Sequence, residues 1–219
     1  MKKRSVYLFL LLEFCLYVVF LVLDLTGRYS ASIPWKYAGI CGCFCFAFFS
    51  AYHGGDKLVA VAMGMTVFAD LFLLVLDRWY IVGLLLFCGV QGVYAKKLTT
   101  MNRFDHLIVI RAGLGVVAIL ALYITNMGSA VNVLAGVYFS QLLVNATAAW
   151  NNHEKNGWAF PLGLTFFACC DICVGVYNIG VTVSAVVVEF CRIGMWMFYL
   201  PSQIFIVLSG VQKSVSVST

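Results

Sequence analysis

Residues Lys57 to Asp77, KLVAVAMGMTVFADLFLLVLD, form an apolar run long enough to cross a bilayer, with one carboxylate, Asp70, well inside it. A chain that crosses hydrocarbon must satisfy its backbone internally, so the run constrains this stretch to a helix. A charged side chain at that depth costs a few kcal/mol or more, which makes Asp70 a candidate functional residue by placement alone. A second stretch, WAFPLGLTFFACCDICVGVYN (Trp158 to Asn178), holds Asp171 in the same way. The rest of the chain reads as the membrane scaffold that brings these two acids together.

Composition agrees. The 219 residues are 63% hydrophobic and only 11% charged, where a soluble domain carries about 25% charged residues. The chain is therefore read as an integral membrane protein, all-α, a polytopic helical bundle forming one transmembrane domain over residues 1–219. The net charge of +5 is scattered over short loops without a patch or recognition motif, so nucleic acid is not an expected partner. The N-terminal stretch MKKRSVYLFLLLEFCLYVVFLVLDLTGRYS begins like a signal peptide. Its apolar segment of about 20 residues exceeds the usual signal length and no small-x-small site follows, so it reads as a retained first span.

Eight spans emerge: Ser5–Leu25, Pro34–Tyr52, Leu58–Leu76, Trp79–Ala95, His106–Thr125, Ser129–Trp150, Trp158–Tyr177 and Val188–Ser209. Short connections make sequential helices antiparallel neighbours. Gly180 to Val187 is readable as a loop, a short interfacial helix or an extension of the last span. One side of the membrane collects Lys2, Lys3, Arg4, Lys57, Lys96, Lys97, Arg103, Lys155 and Lys213, the other only Arg28, Lys36 and Arg78. The positive-inside rule then expects both termini in the cytoplasm, which needs an even number of spans. Trp35, Trp79, Trp150 and Trp158 fall at span ends, as interfacial anchors do.

Spans three and seven both run outward from the cytoplasmic side. Asp70 lies 12 residues past Leu58 and Asp171 13 past Trp158, roughly 18 and 20 Å from the inner boundary. Two acids at matched depth are expected to face a shared interior cavity rather than lipid. Gln91 and Tyr94 of span four could line it. So could Tyr138, Gln141 and Asn145, on one face of span six, and Tyr199 and Gln203 of span eight, with Pro201 between them expected to kink the helix. Glu13 is a third deep acid. Arg111 and Arg192 lie near span ends and are expected to snorkel, Arg192 with Glu189 in reach. Asp24, Asp77 and Asp105 lie at span ends and are expected to be solvated. Each Gln or Asn also has a plainer reading as interhelical glue.

Eight of the nine cysteines lie in apolar spans and read as small hydrophobes. Cys170 and Cys173 form a CxxC beside Asp171, but no second CxxC or nearby His accompanies it, and His53, His106 and His153 are peripheral. No metal and no cofactor are expected. GMTVFAD (Gly64 to Asp70) echoes GLTFFACCD (Gly163 to Asp171) after two insertions, which a parallel four-plus-four duplication would explain.

Four stretches in order give the chain a family resemblance: GMTVFADLFLLV, LLLFCGVQGVYA, LGLTFFACCDICVGVYN and FYLPSQIFIV. Together they resemble the third, fourth, seventh and final spans of the YhhN or lysoplasmalogenase-like family of eight-span membrane proteins. Two positions depart from the family pattern: Gln91 stands where a His is usual, and Cys170 where a Ser precedes the Asp. The resemblance implies a membrane-embedded hydrolase, in a bacterial plasma membrane, that cleaves the vinyl ether bond of a lysophospholipid of the lysoplasmalogen type. Asp70 and Asp171 would be its acid–base pair. Gln91, Tyr94, Tyr138, Asn145, Tyr199 and Gln203 would hold water or substrate, with membrane lipids as the other partners. Vinyl ether hydrolysis needs a carboxylic acid that keeps its proton near neutral pH and an anion to stabilise an oxocarbenium ion, and two neighbouring carboxyls in a low-dielectric site supply both. Two readings from other classes stay open: a proton-coupled transporter using the acids as a cation site, which broken helices and inverted repeats would favour, and a non-catalytic lipid-binding protein.

Overall fold

The computed structural model describes residues 3–99, 106–153, 157–179 and 184–215, and these fold into eight helices with no strand among them. They are α1 (Lys3–Leu25), α2 (Tyr29–Tyr52), α3 (Lys57–Asp70, continued by a π turn over Leu71–Val75), α4 (Tyr80–Thr99), α5 (His106–Ile124), α6 (Ala130–Asn151), α7 (Ala159–Ile179) and α8 (Ala185–Val215). Seven of them are long and apolar enough to cross a membrane, and in α5 the apolar stretch Val109–Ile124 is shorter. The outer surface is apolar: Leu8, Phe14, Val109 and Phe190 are all more than half exposed. The buried interior is where the polar residues collect, as expected of a bundle whose solvent is lipid.

Local sequence ends these helices in recognisable ways. At the α1–α2 turn, Arg28 N–H donates to Leu23 O (2.8 Å) and Gly27 N–H to Asp24 O (3.0 Å). This is a Schellman cap, and it requires the left-handed φ of +74° that Gly27 adopts. The α5–α6 turn repeats the pattern with Asn126 at φ +57°, Met127 N–H reaching back to Leu122 O. Asp56 caps α3 through Leu58 N–H (3.0 Å) and Ser129 caps α6 through Asn132 N–H (3.2 Å).

Sequential helices pack as neighbours, α1 on α2, α2 on α3 and α3 on α4, and the same order recurs as α5 on α6, α6 on α7 and α7 on α8. The two halves interlock through α2 on α8 and α6 on α4, again equivalent pairs. This adjacency is the one a parallel four-plus-four arrangement produces, and it sets α3 and α7, the two acid-bearing helices, in corresponding places.

One expectation is changed by the packing. Asp24 is buried, 2% exposed, because Lys36 reaches across the α1–α2 turn to form an ion pair with it (2.8 Å) and Ser32 Oγ donates to it (2.6 Å). Burying both charges together is what allows an acid near a span end to leave solvent. Asp77, by contrast, is exposed and accepts from Tyr80, while Asp105 lies outside the described residues. α8 runs without interruption through Pro201: the Met197 carbonyl that the proline deprives of a donor accepts from Tyr17 Oη (3.4 Å). Of Gly180 to Val187, residues 180–183 lie outside the described residues, and the remainder leads into α8 from Ala185.

Trp79 and Trp158 stand exposed at helix ends, and Trp35, also exposed, lies in the second turn of α2, which begins earlier than the apolar run, at Tyr29. Trp150 is half-buried and donates to Thr165 Oγ1 (2.9 Å). Arg192 pairs with Glu189 as the spacing suggested and also stacks on Tyr29. On α2 the alternating cysteines splay around the helix, Cys43 buried and Cys45 exposed.

Candidate functional site

Asp70 closes α3. Immediately after it the helix widens into the π turn Leu71–Val75, with Leu76 N–H bonding to Leu71 O across five residues (2.9 Å). A π turn inside a transmembrane helix inserts a residue and re-aims the side chains on either side of it, and such turns concentrate at functional sites. Asp70 is 5% exposed, and its Oδ2 accepts a hydrogen bond from Tyr199 Oη of α8 at 2.7 Å.

Asp171 sits in the middle of α7. Its Oδ2 accepts from Tyr138 Oη of α6 at 2.5 Å. The two carboxyls share a neighbourhood through Phe167, whose ring packs against both tyrosine donors, Tyr199 and Tyr138. Each acid thus carries one phenol donor from a different helix. A charge-assisted bond of this kind is stronger than a neutral one and fixes where the carboxylate points.

Aromatic rings wall the pair. Phe167, one turn before Asp171, packs against Tyr199 (centroids 5.5 Å), Tyr138 (6.2 Å) and Phe87 (5.8 Å). Trp196 meets Tyr199 edge-on at 5.4 Å. Low-dielectric walls strengthen every electrostatic interaction made inside them. The set, two carboxyls, two phenols and an apolar collar, suits proton transfer and stabilisation of a nearby cation.

A second polar group lies nearer the basic end of the bundle, the end that carries Lys57, Lys96 and Lys97. Asn145 Nδ2 donates to the Gln91 backbone carbonyl (3.0 Å) and to Gln91 Oε1 (2.8 Å). Tyr94, one turn beyond Gln91, is fully buried against Phe160 (5.5 Å). Gln203, one turn beyond Tyr199, donates to Ser202 Oγ (3.1 Å). Among the described residues, Gln91 Nε2, Tyr94 Oη and Gln203 Oε1 have no hydrogen-bond partner. The candidate residues therefore form two tiers. Asp70, Asp171, Tyr138 and Tyr199 make the acid tier; Gln91, Tyr94, Asn145 and Gln203 lie a turn or more away from it along their helices.

Arg111 is a correction. It does not snorkel: its guanidinium turns inward and donates to Asn145 Oδ1 (2.6 Å) and Gln141 Oε1 (3.3 Å). The reason is that α5 packs against α6, where two amides offer acceptors within the side chain's reach. Tyr37 and Cys41 of α2 are further residues that spacing did not single out; both lie within electrostatic reach of Asp70, and Tyr37 Oη donates to Val67 O (3.4 Å). Their only signal in the sequence is that they share one face of α2, a turn apart. Glu13 is fully buried, and among the described residues neither of its oxygens has a hydrogen-bond partner.

The chain matches the model of the YhhN family over residues 31–210. It belongs to the YhhN family. The matched region runs from the first turn of α2 nearly to the end of α8 and contains both aspartates and every phenol and amide of the two tiers; Glu13 falls before it. As a YhhN family protein the chain is a multi-pass membrane protein built on this helical bundle. No curated protein and no solved structure matches it.

Proposed function

We propose that this YhhN family protein is a lysoplasmalogenase, hydrolysing the vinyl ether of a lysophospholipid through Asp70 and Asp171. The observation that carries the reading is the convergence of two carboxyls, Asp70 of α3 buried and Asp171 of α7 half-buried, each held by a tyrosine, inside an aromatic wall. One carboxyl gives its proton to the outer vinyl carbon: its O–H bond breaks, the alkene π pair forms the new C–H bond, and an oxocarbenium ion results. The other, ionised, stabilises that cation. Water adds to the oxocarbenium carbon and loses a proton to the carboxylate, which restores the acid pair. The hemiacetal so formed collapses to a fatty aldehyde and the alcohol of the glycerophospho head group. Tyr138 and Tyr199 hold the carboxyls in place, and Phe167 and Phe87 line the path of the cation.

The test is aldehyde release from lysoplasmalogen by the purified protein in detergent, beside Asp70→Asn and Asp171→Asn and with an acyl lysophospholipid as control. Aldehyde from the vinyl ether lipid alone, lost in both variants, is the expected result. A folded, monodisperse protein that releases none, or an Asn variant with full activity, overturns it.

A further inference from the structure

Arg111 presents a charge without a counter-charge. It lies roughly 8 Å along α5 from His106, it is half-buried, and its hydrogen-bond partners are two neutral amides, Asn145 and Gln141. Gln141 Nε2 in turn donates to the Arg111 backbone carbonyl (3.2 Å), fixing the base of the side chain. Among the described residues no carboxylate lies within ion-pair distance of it. A guanidinium inside an apolar bundle is retained at a considerable energetic cost, and neutral acceptors offset only part of it. Two further buried donors on α4 stand unpartnered among the described residues. Gln91 Nε2 is on the carboxamide that Asn145 holds, two hydrogen bonds from Arg111, and Tyr94 follows Gln91 by three residues on α4. Donors outnumber the one unpartnered acceptor of this tier, Gln203 Oε1, and what completes them is an anion.

We infer that Arg111, with Gln91 and Tyr94, binds a phosphate monoanion, and that its source is the phosphodiester of the lysophospholipid headgroup. The inference rests on the hydrolase reading for the identity of the lipid. Geometry favours a lipid over free phosphate. Along α6, Asn145, which holds Arg111, lies roughly 10 Å from Tyr138, which holds Asp171. In a lysoplasmalogen the phosphorus and the vinyl ether carbon are separated by six bonds, about 7 Å when extended. A phosphate engaged by the planar guanidinium fork therefore delivers the vinyl ether to the acid tier, with the head group on the basic-end side of it.

The experiment compares Arg111→Gln and Arg111→Lys with the parent protein on two vinyl ether substrates: a lysoplasmalogen, and a 1-alkenylglycerol that lacks the phosphate. The expected result for Arg111→Gln is a KM raised on the order of tenfold to a hundredfold on the phospholipid, with kcat little changed and the 1-alkenylglycerol unaffected. Arg111→Lys, a point charge without the fork, recovers part of the loss. Equal losses on both substrates, or none on either, overturn the site. A second arm does not depend on turnover: binding of a saturated 1-O-alkyl lysophosphatidylcholine and of the matching alkylglycerol, followed by tryptophan fluorescence. The phospholipid is expected to lose affinity in Arg111→Gln while the alkylglycerol does not, and binding of the phospholipid unchanged by the substitution overturns the site. Inorganic phosphate added at millimolar concentration separates the two sources: failure to displace the phospholipid supports the headgroup, and full displacement overturns it in favour of a small-anion site. Selective loss of phospholipid binding in a protein that releases no aldehyde would sink the hydrolase reading and leave the Arg111 site standing.

Discussion

Tyr199 Oη of α8 lies 2.7 Å from Asp70 Oδ2, tying the last α-helical residue of α3, just ahead of its π turn, to the centre of the longest helix. The bond orients the carboxylate where the chain changes helical pitch. Tyr199→Phe keeps the ring packing on Phe167 and Trp196 and removes only the donor. We expect aldehyde release to fall by on the order of tenfold to a hundredfold, the worth of one hydrogen bond to a charged group, with a loss of stability of about 1 kcal/mol. Steady-state kinetics with thermal unfolding of the same sample checks it. A variant that is fully active shows that the phenol only packs.

How much of this was legible in the chain differs by element. The spans were, because runs of about 20 apolar residues have one solution in a bilayer. A nearly equal depth for Asp70 and Asp171 was legible too, from their distances along spans three and seven, though equal depth does not by itself bring the carboxyls together. The partner of each acid was not. Tyr138, Gln141 and Asn145 share a face of α6, yet they serve Asp171, Arg111 and Gln91 respectively. A helix that is apolar all round gives no period from which to read which neighbour it faces. The inward turn of Arg111 and the ion pair across the α1–α2 turn escape for the same reason: both depend on which helix packs alongside.

Gly163 sets how closely α7 approaches α8. A Cβ built there would lie 2.7 Å from Ile206 Cγ1 and 3.0 Å from both Ile206 N and Ser202 O, the last two being backbone that cannot rotate away. Gly163→Ala must therefore push apart the helices that carry Asp171 and Tyr199. Overpacking of this kind costs about 1–3 kcal/mol. We expect a lower unfolding temperature together with a loss of aldehyde release larger than the remaining folded fraction explains. An alanine variant with wild-type stability and turnover would show that the contact relaxes freely.

Glu13 occupies a slot on α2 formed by two glycines. A Cβ at Gly42 would overlap Glu13 Oε1, and one at Gly39 would come within 3.2 Å of Oε2 and 3.0 Å of Leu200 Cδ1. Gly42→Ala is expected to destabilise the fold, and Glu13→Ala in the same chain to restore part of the loss by vacating the slot. Glu13→Gln, nearly isosteric, is expected to leave stability close to the parent, because among the described residues the slot offers a hydrogen-bond partner to neither side chain. Thermal unfolding of the four proteins forms the cycle; additive effects of Gly42→Ala and Glu13→Ala would contradict the direct contact.

Lys36 is pinned by more than its ion pair with Asp24. Its ammonium stands 4.7 Å over the Trp196 ring and 5.9 Å from that of Phe20, so one side chain joins α1, α2 and α8. Both charges are nearly fully buried, at 6% and 2% side-chain exposure. Removing one partner strands the other in an apolar interior, which costs about 3–5 kcal/mol, whereas replacing both with apolar residues of similar volume is often neutral or stabilising. Lys36→Met alone is therefore expected to unfold at a much lower temperature than the parent, and Asp24→Leu with Lys36→Met to recover most of that difference. Ser32 Oγ, which donates to Asp24, retains the Tyr29 carbonyl at 2.7 Å as its acceptor in the double variant. Unfolding in detergent at neutral pH measures all three proteins. If the double variant is no more stable than Lys36→Met, the loss comes from the cation over Trp196 rather than from a stranded carboxylate.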